Sequence, residues 1–206
     1  DIVIAGEARA DNVYANASSG RFLAVGAMDL EVSNQEARNI YEFAYKVIAN
    51  CNIIINSGVS GDANMINHIK GEALTLRALA HFDLVRIFGQ HNITGQGGLN
   101  APGICYVTEF KSSNLYPARN TVAEVRDKIY IDLNNAINNF TTSLNDPDKY
   151  SVTSDAAYAI KSRVAIYFGD KAIAKDACEA IINNYTIASR SDYSSTFSST
   201  TAASNS

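Results

Sequence analysis

Residues 70–89, KGEALTLRALAHFDLVRIFG, are the stretch of the sequence that best predicts the fold. With the residues just before them, they carry two apolar stripes at helical spacings of three and four. The first stripe consists of Ile66, Ile69, Ala73, Leu76, Ala80, Leu84 and Ile87, and the second of Leu79, Phe82, Val85 and Phe88. Because two stripes need cover on more than one side, we predict that residues 62–88 form a central helix and the most buried element. We expect Leu76 to lie in the core and Gly89 to end the helix.

Further helices flank this stretch on both sides. The sequence SNQE at residues 33–36 matches a capping box, and apolar residues at helical spacing follow it. A second capping box, TVAE at residues 121–124, opens another helix. Apolar patterns over residues 156–168 and 173–181 indicate two more helices, which Gly169 separates. We therefore predict an all-α fold of tetratricopeptide-like stacked helical hairpins with long irregular loops.

The remaining segments have no helical period. We predict a single domain in which residues 1–32 form an irregular loop region, 33–188 the helical core and 189–206 a flexible tail rich in Ser and Thr. Within the core, residues 90–119 contain four glycines and two prolines and predict a long loop. A loop of this length inside a compact domain is usually either functional or well packed.

The composition excludes several classes of protein. The chain has 206 residues, with 17 Lys and Arg against 21 Asp and Glu, and a net charge of −4. Since phosphate binding requires a basic excess, we expect no nucleic-acid partner. Hydrophobic residues make up 47%, enough for a core, but the aliphatic run at residues 53–55 is far too short to span a bilayer.

The cysteines and histidines indicate neither a metal nor a cofactor. Cys51, Cys105 and Cys178 show no CxxC spacing, and the three histidines form no HExxH motif. Cys51 and Cys178 fall on apolar helical stripes, where a free cysteine usually behaves as a small hydrophobic residue. We therefore expect both of these cysteines in the core.

Four segments resemble the SusD/RagB family, in the order that the family shows. Residues 70–89 resemble its signature helix, KGEARFLRAxxYFDLVRxFG, and residues 45–52, YKVIANCN, resemble its YxxIxxxN helix. Residues 119–137 resemble its RxTVxEVYxxIxxDLxxAI segment. Residues 156–170 resemble its ALxARVYLYxGD helix hairpin.

This resemblance implies a non-catalytic, lipid-anchored protein on the outward-facing surface of the cell outer membrane. Such proteins bind oligosaccharide or another nutrient and deliver it to a SusC-like TonB-dependent transporter. The resemblance also implies tetratricopeptide-like helix pairs that support an irregular ligand-binding region, and no cofactor. Because family members are more than twice as long, we expect this chain to be an internal or N-terminal part from which the lipid anchor is absent.

Four charged residues of the signature helix, Glu72, Arg77, Asp83 and Arg86, could be catalytic or structural. Asp83 and Arg86 are three residues apart and can meet on one helix face. Catalysis would use paired carboxylates as acid and base. On a helix covered by neighbours such charges more often bridge to other helices, so we interpret all four as structural polar residues. We expect Arg77 and Asp83 to be buried and paired, and we predict no catalytic residue.

The loop over residues 11–34 offers candidate ligand contacts. Sugar recognition uses flat apolar faces together with planar hydrogen-bonding groups. The family often supplies a tryptophan here, but this chain has none. Asn12, Tyr14, Arg21 and Phe22 offer an amide, two rings and a guanidinium instead, and we predict that they border a glycan site. Tyr14 and Phe22 could equally serve only to pack the loop.

A second function stays open on sequence grounds alone. A tetratricopeptide-type scaffold could bind a protein partner without binding any glycan. A plain scaffold would not need the long loops over residues 11–34 and 90–119, which favours the nutrient-binding protein. An enzyme is the least supported interpretation, because the sequence contains no nucleophile, metal or carboxylate-dyad motif.

Overall fold

The computed structural model of the protein describes residues 2–10, 13–16, 18, 20–111, 113, 116–146, 150–187 and 189–190. Across these residues the fold is all-α, without any strand, which confirms the predicted class. The helices are α1 (Ile2–Glu7), α2 (Leu23–Gly26), α3 (Gln35–Ile55), α4 (Ala63–Phe88), α5 (Val122–Asn139), α6 (Ser154–Phe168) and α7 (Lys171–Glu179). Short 3-10 turns, Thr142–Leu144 and Ile182–Asn184, follow α5 and α7. Nearly all of the predicted flexible tail, residues 189–206, lies outside the described residues.

Side-chain caps set the starts of the long helices. At α5 the predicted capping box forms, with the Glu124 amide donating to the Thr121 hydroxyl and the Glu124 carboxylate accepting from the Thr121 amide. At α3 the predicted box does not form. Asn34 caps the helix by accepting from Ala37 at 2.8 Å, while the Glu36 carboxylate accepts from the amide of Phe22. Asparagine is as good a cap as serine, so the helix begins one residue later than the pattern SNQE predicts.

The long helices form a stack in which α4 is central. Each of α3, α4, α5 and α6 packs against the helix that follows it. Four helices, α3, α4, α5 and α6, contribute buried side chains to a shared core: Ile48, Phe82, Leu84, Val85, Val125, Ile129, Leu133 and Val164. Within the described helices α4 has the most buried residues, which confirms the prediction for residues 62–88.

Part of the first stripe of α4 does not lie in the core. Leu76 is 39% exposed and Ile69 is 42% exposed, so the expectation that Leu76 is a core residue is wrong. Leu76 lines an open groove between α3 and α4 together with Phe43 and Val47. Helical spacing shows which residues share a face, but it does not show whether another element covers that face.

The two helical cysteines differ in burial. Cys51 is buried, as expected, but Cys178 is exposed, so its predicted core position is wrong. On the short helix α7 the buried positions are Ala174 and Ala177. Cys178 is the next residue after Ala177, and successive helical side chains point about 100° apart. Its sulfur lies 3.0 Å from the Ser162 hydroxyl at the edge of the α6–α7 contact.

The two segments that were expected to be loops contribute to packing. Residues 1–32 contain α1 and α2, whose buried residues Ala5 and Val25 form a second small core with Ile40 of α3. The residues of 90–119 that the structure describes form no regular helix, yet Ile104 and Tyr106 belong to the main core. The sequence left open whether this long loop is functional or well packed, and its middle part is well packed.

Candidate functional site

Arg77 of the signature helix organises a buried polar network. Arg77 donates from Nε and Nη2 to the two carboxylate oxygens of Asp132 on α5, each at 2.7 Å, and from Nη1 to Asn52 at 2.8 Å. Asn52 donates in turn to the carbonyl of Val107 at 3.1 Å, and the Tyr106 hydroxyl donates to Asp132 at 2.6 Å. The network therefore ties three helices to the middle of the 90–119 loop.

His81 makes a second attachment to the same loop. Its Nε2 accepts from the amide of Val107 at 3.1 Å, so the proton of the neutral ring is on Nδ1, which donates to the Arg77 carbonyl at 2.9 Å. The ring stacks on Tyr106, with a centroid distance of 3.7 Å. Burial lowers the pKa of His81 to about 3, helped by the charges of Arg77 and Lys128. Burial also raises the pKa of Tyr106, as does the charge of Asp132.

This network does not form a catalytic centre. Its donors and acceptors face one another, and Arg77 and Asp132 have side chains only 7% and 6% exposed, so no reacting group has access. Asp83 pairs with Arg86 at 2.7 Å on the outer side of α4, and Glu72 lies 3.8 Å from His68. Across the described part of the chain, no group of three His, Cys, Asp or Glu residues could hold a metal ion. Arg77 thus joins α4 to α3, α5 and the loop. Asp83 and Arg86 instead pair within α4, and Asp83 is only half-buried, so the expectation that Asp83 is buried is wrong.

The predicted contacts of the N-terminal loop separate into two groups. Tyr14 is 83% exposed, and Arg21 is also exposed. Phe22 is half-buried and packs against the second core, with a left-handed backbone φ of 57°. Asn12 lies outside the described residues. The structure thus leaves Tyr14 and Arg21 accessible, while the Phe22 ring has a packing role.

A surface groove that sequence reasoning missed runs between α3 and the 90–119 loop. We call it the tyrosine groove and define it by Tyr41, Tyr45, Phe88, Cys105 and Arg119. It consists of two adjoining cavities of about 500 Å³ and 270 Å³ that share Tyr41 and Cys105. The Tyr41 ring lies 4.7 Å from the Tyr45 ring and 5.3 Å from the Phe88 ring, and Tyr41 is 41% exposed.

The walls of the tyrosine groove are held in place by hydrogen bonds. The Tyr45 hydroxyl donates to the Cys105 carbonyl at 2.8 Å, which joins α3 to the loop. The Arg119 guanidinium donates from Nε to Gly103 at 2.7 Å and from Nη2 to the Phe88 carbonyl at 3.1 Å. Because the loop wall is also anchored by the Arg77 network, the groove is preformed. The spacing of Tyr41 and Tyr45, four residues apart on one helix, was the sequence signal that could have revealed it.

Comparison with protein families identifies the fold. The family model "SusD-like_3: Starch-binding associating with outer membrane" matches residues 5–166. The chain belongs to the SusD-like family. SusD-like binding proteins are non-catalytic, which agrees with the network described above. Among curated protein sequences none matches this chain.

Solved structures of SusD-like proteins share this helix arrangement. A candidate sugar-binding protein from Bacteroides vulgatus ATCC 8482 is 30% identical, with a TM-score of 0.76 over 89% of this chain and 41% of its own. A SusD-like carbohydrate-binding protein from the same organism is 21% identical, with a TM-score of 0.78 over 93% of this chain and 41% of its own. A laminarin-binding SusD-like protein is 22% identical, with a TM-score of 0.63 over 80% and 34%. The chain thus spans about two fifths or less of each relative.

Within the described residues, no helix is both long enough and apolar enough to cross a membrane.

Proposed function

We propose that this SusD-like chain is part of a non-catalytic surface protein that binds oligosaccharide and delivers it to a SusC-like TonB-dependent transporter. The observation that carries the proposal is the tyrosine groove on a chain of this family. Tyr41 presents part of an aromatic ring to solvent beside hydrogen-bonding groups. A sugar offers the complement of such a surface, with C–H groups on its ring faces and hydroxyls at its edges.

The N-terminal loop is the second proposed contact region. Tyr14 and Arg21 are accessible and combine a ring with a guanidinium, so we assign them ligand contacts in the intact protein. Asn12 and Phe22 complete the proposed set. Phe22 contributes through packing as well, because it supports the loop from the second core.

The family supports the cellular location that we propose. The matching family model carries outer-membrane association in its description. We place the protein on the outward-facing surface, held by a lipid anchor of the full-length protein. The transporter is the proposed partner, and no cofactor or nucleic acid takes part.

A direct binding measurement tests the proposed function. Purified protein is titrated calorimetrically with a panel of oligosaccharides that includes a neutral β-glucan heptasaccharide and an oligogalacturonide. We expect binding of at least one glycan, and we expect Tyr41→Leu to weaken it about two- to tenfold through loss of ring stacking. Tyr158→Leu, on α6 and outside the tyrosine groove, is the matched control.

The scaffold alternative predicts a different result. If folded protein bound no glycan of the panel, the tetratricopeptide-type scaffold without glycan binding would replace the nutrient-binding function. Binding that Tyr41→Leu leaves unchanged would retain the function but would exclude the tyrosine groove as its site.

A further inference from the structure

One end of the tyrosine groove has a positive charge that no carboxylate of the described residues neutralises. The hydrogen bonds of Arg119 go to the carbonyl oxygens of Gly103, Phe88 and Pro102, which are neutral. Within the described part of the chain, Arg119 takes part in no ion pair. Arg77 and Arg86, by contrast, are each paired with an aspartate. The charge of Arg119 is therefore available to a ligand.

One nitrogen of the Arg119 guanidinium is not used by these hydrogen bonds. Its Nε and Nη2 atoms are used by the three carbonyls, and among the described residues Nη1 has no hydrogen-bond partner. The carbonyls come from the end of α4 and from the loop, so they fix the plane of the guanidinium. A donor that is already oriented loses little entropy when it binds a ligand.

The neighbouring cavity adds a second cation. Lys46 lines it, and its ammonium lies 4.8 Å from the centroid of the Phe43 ring. Glu42 lines the same cavity but is paired with Arg38, with 2.8 Å between Nε and Oε1. The groove thus has a local positive balance in a protein whose net charge is −4.

We propose that the tyrosine groove binds acidic oligosaccharides that contain uronic acid residues. This inference rests on the proposed glycan-binding function and names its ligand class. The pyranose ring lies against Tyr41, and its carboxylate accepts hydrogen bonds from Nη1 of Arg119. The cavity that contains both side chains has a volume of about 270 Å³, close to the lower limit of about 300 Å³ for small-ligand pockets.

The chemistry of arginine supports a carboxylate over a neutral hydroxyl. Hydrogen bonds between two charged groups are about twice as strong as neutral ones, so Nη1 of Arg119 binds a carboxylate more strongly than a hydroxyl. Lys46 can neutralise a second uronate along the chain, because its cavity adjoins the first through Tyr41 and Cys105. A polyuronate therefore fits the groove better than a neutral glucan does.

Calorimetric titration with one acidic and one neutral heptasaccharide tests this ligand class. We expect an oligogalacturonide to bind about tenfold more tightly than a neutral β-glucan at low ionic strength. The advantage should shrink to about twofold in about 0.5 M salt, because the cations of the groove are at the surface. Arg119→Gln should remove the preference.

Two further variants separate ligand binding from support of the loop. Lys46→Gln alters none of the hydrogen bonds between Arg119 and the loop. It should reduce the preference for the oligogalacturonide by a smaller factor than Arg119→Gln does, and its circular dichroism spectrum should match that of the wild type. Arg163→Gln, an exposed arginine on α6, is the matched control and should leave both affinities unchanged. A loss of preference in Lys46→Gln supports the proposal even if Arg119→Gln is unstable.

The outcomes distinguish this inference from the function on which it rests. Equal or tighter binding of the neutral glucan would overturn the acidic class and would leave glycan binding intact. Binding of neither sugar would overturn the proposed function itself. Equal binding of dextran sulfate, which has no carboxylate, would show general anion attraction and would overturn the uronate assignment.

Discussion

Arg77 on α4 and Asp132 on α5, 55 residues apart in the chain, form a buried ion pair with two parallel hydrogen bonds of 2.7 Å. Both side chains are almost fully shielded from water. A buried pair of this kind adds little net stability over an apolar contact, but removal of one partner leaves the other charge buried and unpaired. Asn52 accepts a hydrogen bond from the same arginine, and the Tyr106 hydroxyl donates to the same aspartate.

The first prediction concerns this pair. Asp132→Asn keeps the shape of the side chain but leaves the Arg77 charge unpaired, and should lower the free energy of unfolding by about 3–5 kcal/mol. Urea unfolding measures the change. Glu42→Gln breaks the exposed Arg38–Glu42 pair and should leave the unfolding midpoint nearly unchanged. Equal effects of the two substitutions would mean that Arg77 is accessible to water.

The second prediction compares two leucines of α4. Leu84 is 0% exposed and Leu76 is 39% exposed, so truncation to alanine should lower the free energy of unfolding by different amounts. Leu84→Ala should lower the free energy of unfolding by about 2–5 kcal/mol because it leaves a cavity. Leu76→Ala should have a clearly smaller effect, because its neighbours enclose it on one side only. A Leu76→Ala loss as large as that of Leu84→Ala would show that the α3–α4 groove is covered in solution.

The helices could be predicted from sequence because their signals are local. Apolar spacing and caps act within four residues, and both the central position of α4 and the Thr121 capping box follow from them. The groove face of α4 could not be predicted. Leu76 has the same spacing as a core residue, and only tertiary contacts show that α3 leaves it partly uncovered.

The candidate site depends on contacts that are distant in sequence. Tyr45 reaches the Cys105 carbonyl across 60 residues, and Arg119 reaches that of Phe88 across 31. No local pattern encodes such pairings, so sequence reasoning recognised the two loops as candidate regions but not the tyrosine groove. The i, i+4 spacing of Tyr41 and Tyr45 was visible, yet it is equally typical of a packed helix face.

The third prediction concerns pH. The pKa of His81 is lowered from 6.5 to about 3 in the folded protein, mainly by burial and also by the charges of Arg77 and Lys128. A depressed folded pKa means that the unfolded chain binds the proton first. The stability that depends on neutral His81 is thus fully present above about pH 6.5 and is lost progressively as the pH falls toward 3. Acid protonates Nε2, which then faces the amide of Val107.

Urea midpoints measured between about pH 7 and pH 4 check this dependence. The wild type should lose stability over this range. His81→Gln should be less stable at neutral pH but should show a shallower fall, since it lacks the imidazole that takes up the proton. Identical slopes in the two proteins would contradict a neutral His81 in the folded state.

The fourth prediction concerns the backbone beneath the tyrosine groove. A Cβ added at Gly103 would lie 2.9 Å from the carbonyl oxygen of Asn120 and 3.0 Å from that of Thr121. Since these are backbone atoms, Gly103→Ala must shift the loop, and we expect a destabilisation of about 1–3 kcal/mol. The carbonyl that holds Arg119 would move with it. Gly58→Ala, where a Cβ meets nothing within 4 Å, is the control and should be nearly neutral in thermal unfolding.

The last prediction concerns the N-terminal loop. Tyr14 is 83% exposed and Arg21 is also exposed, so neither ring nor guanidinium is needed for the core. Tyr14→Ala and Arg21→Ala should each weaken glycan binding about two- to tenfold, as the loss of one stacking or hydrogen-bonding contact would. Their melting temperatures should stay close to that of the wild type. Phe22→Ala, by contrast, removes a ring packed on the second core and should lower the melting temperature as well.

Calorimetry and thermal unfolding on the same three variants separate the possible roles of this loop. Unchanged affinity in both Tyr14→Ala and Arg21→Ala would place the ligand contacts elsewhere in the protein. If Tyr14→Ala lowered the melting temperature as much as Phe22→Ala, the result would favour a packing role for Tyr14 over a role in ligand recognition. Substitutions at sites without shared partners add in binding free energy. If the losses in Tyr14→Ala and Arg21→Ala add to the loss in Tyr41→Leu, the loop and the tyrosine groove therefore contact the ligand independently.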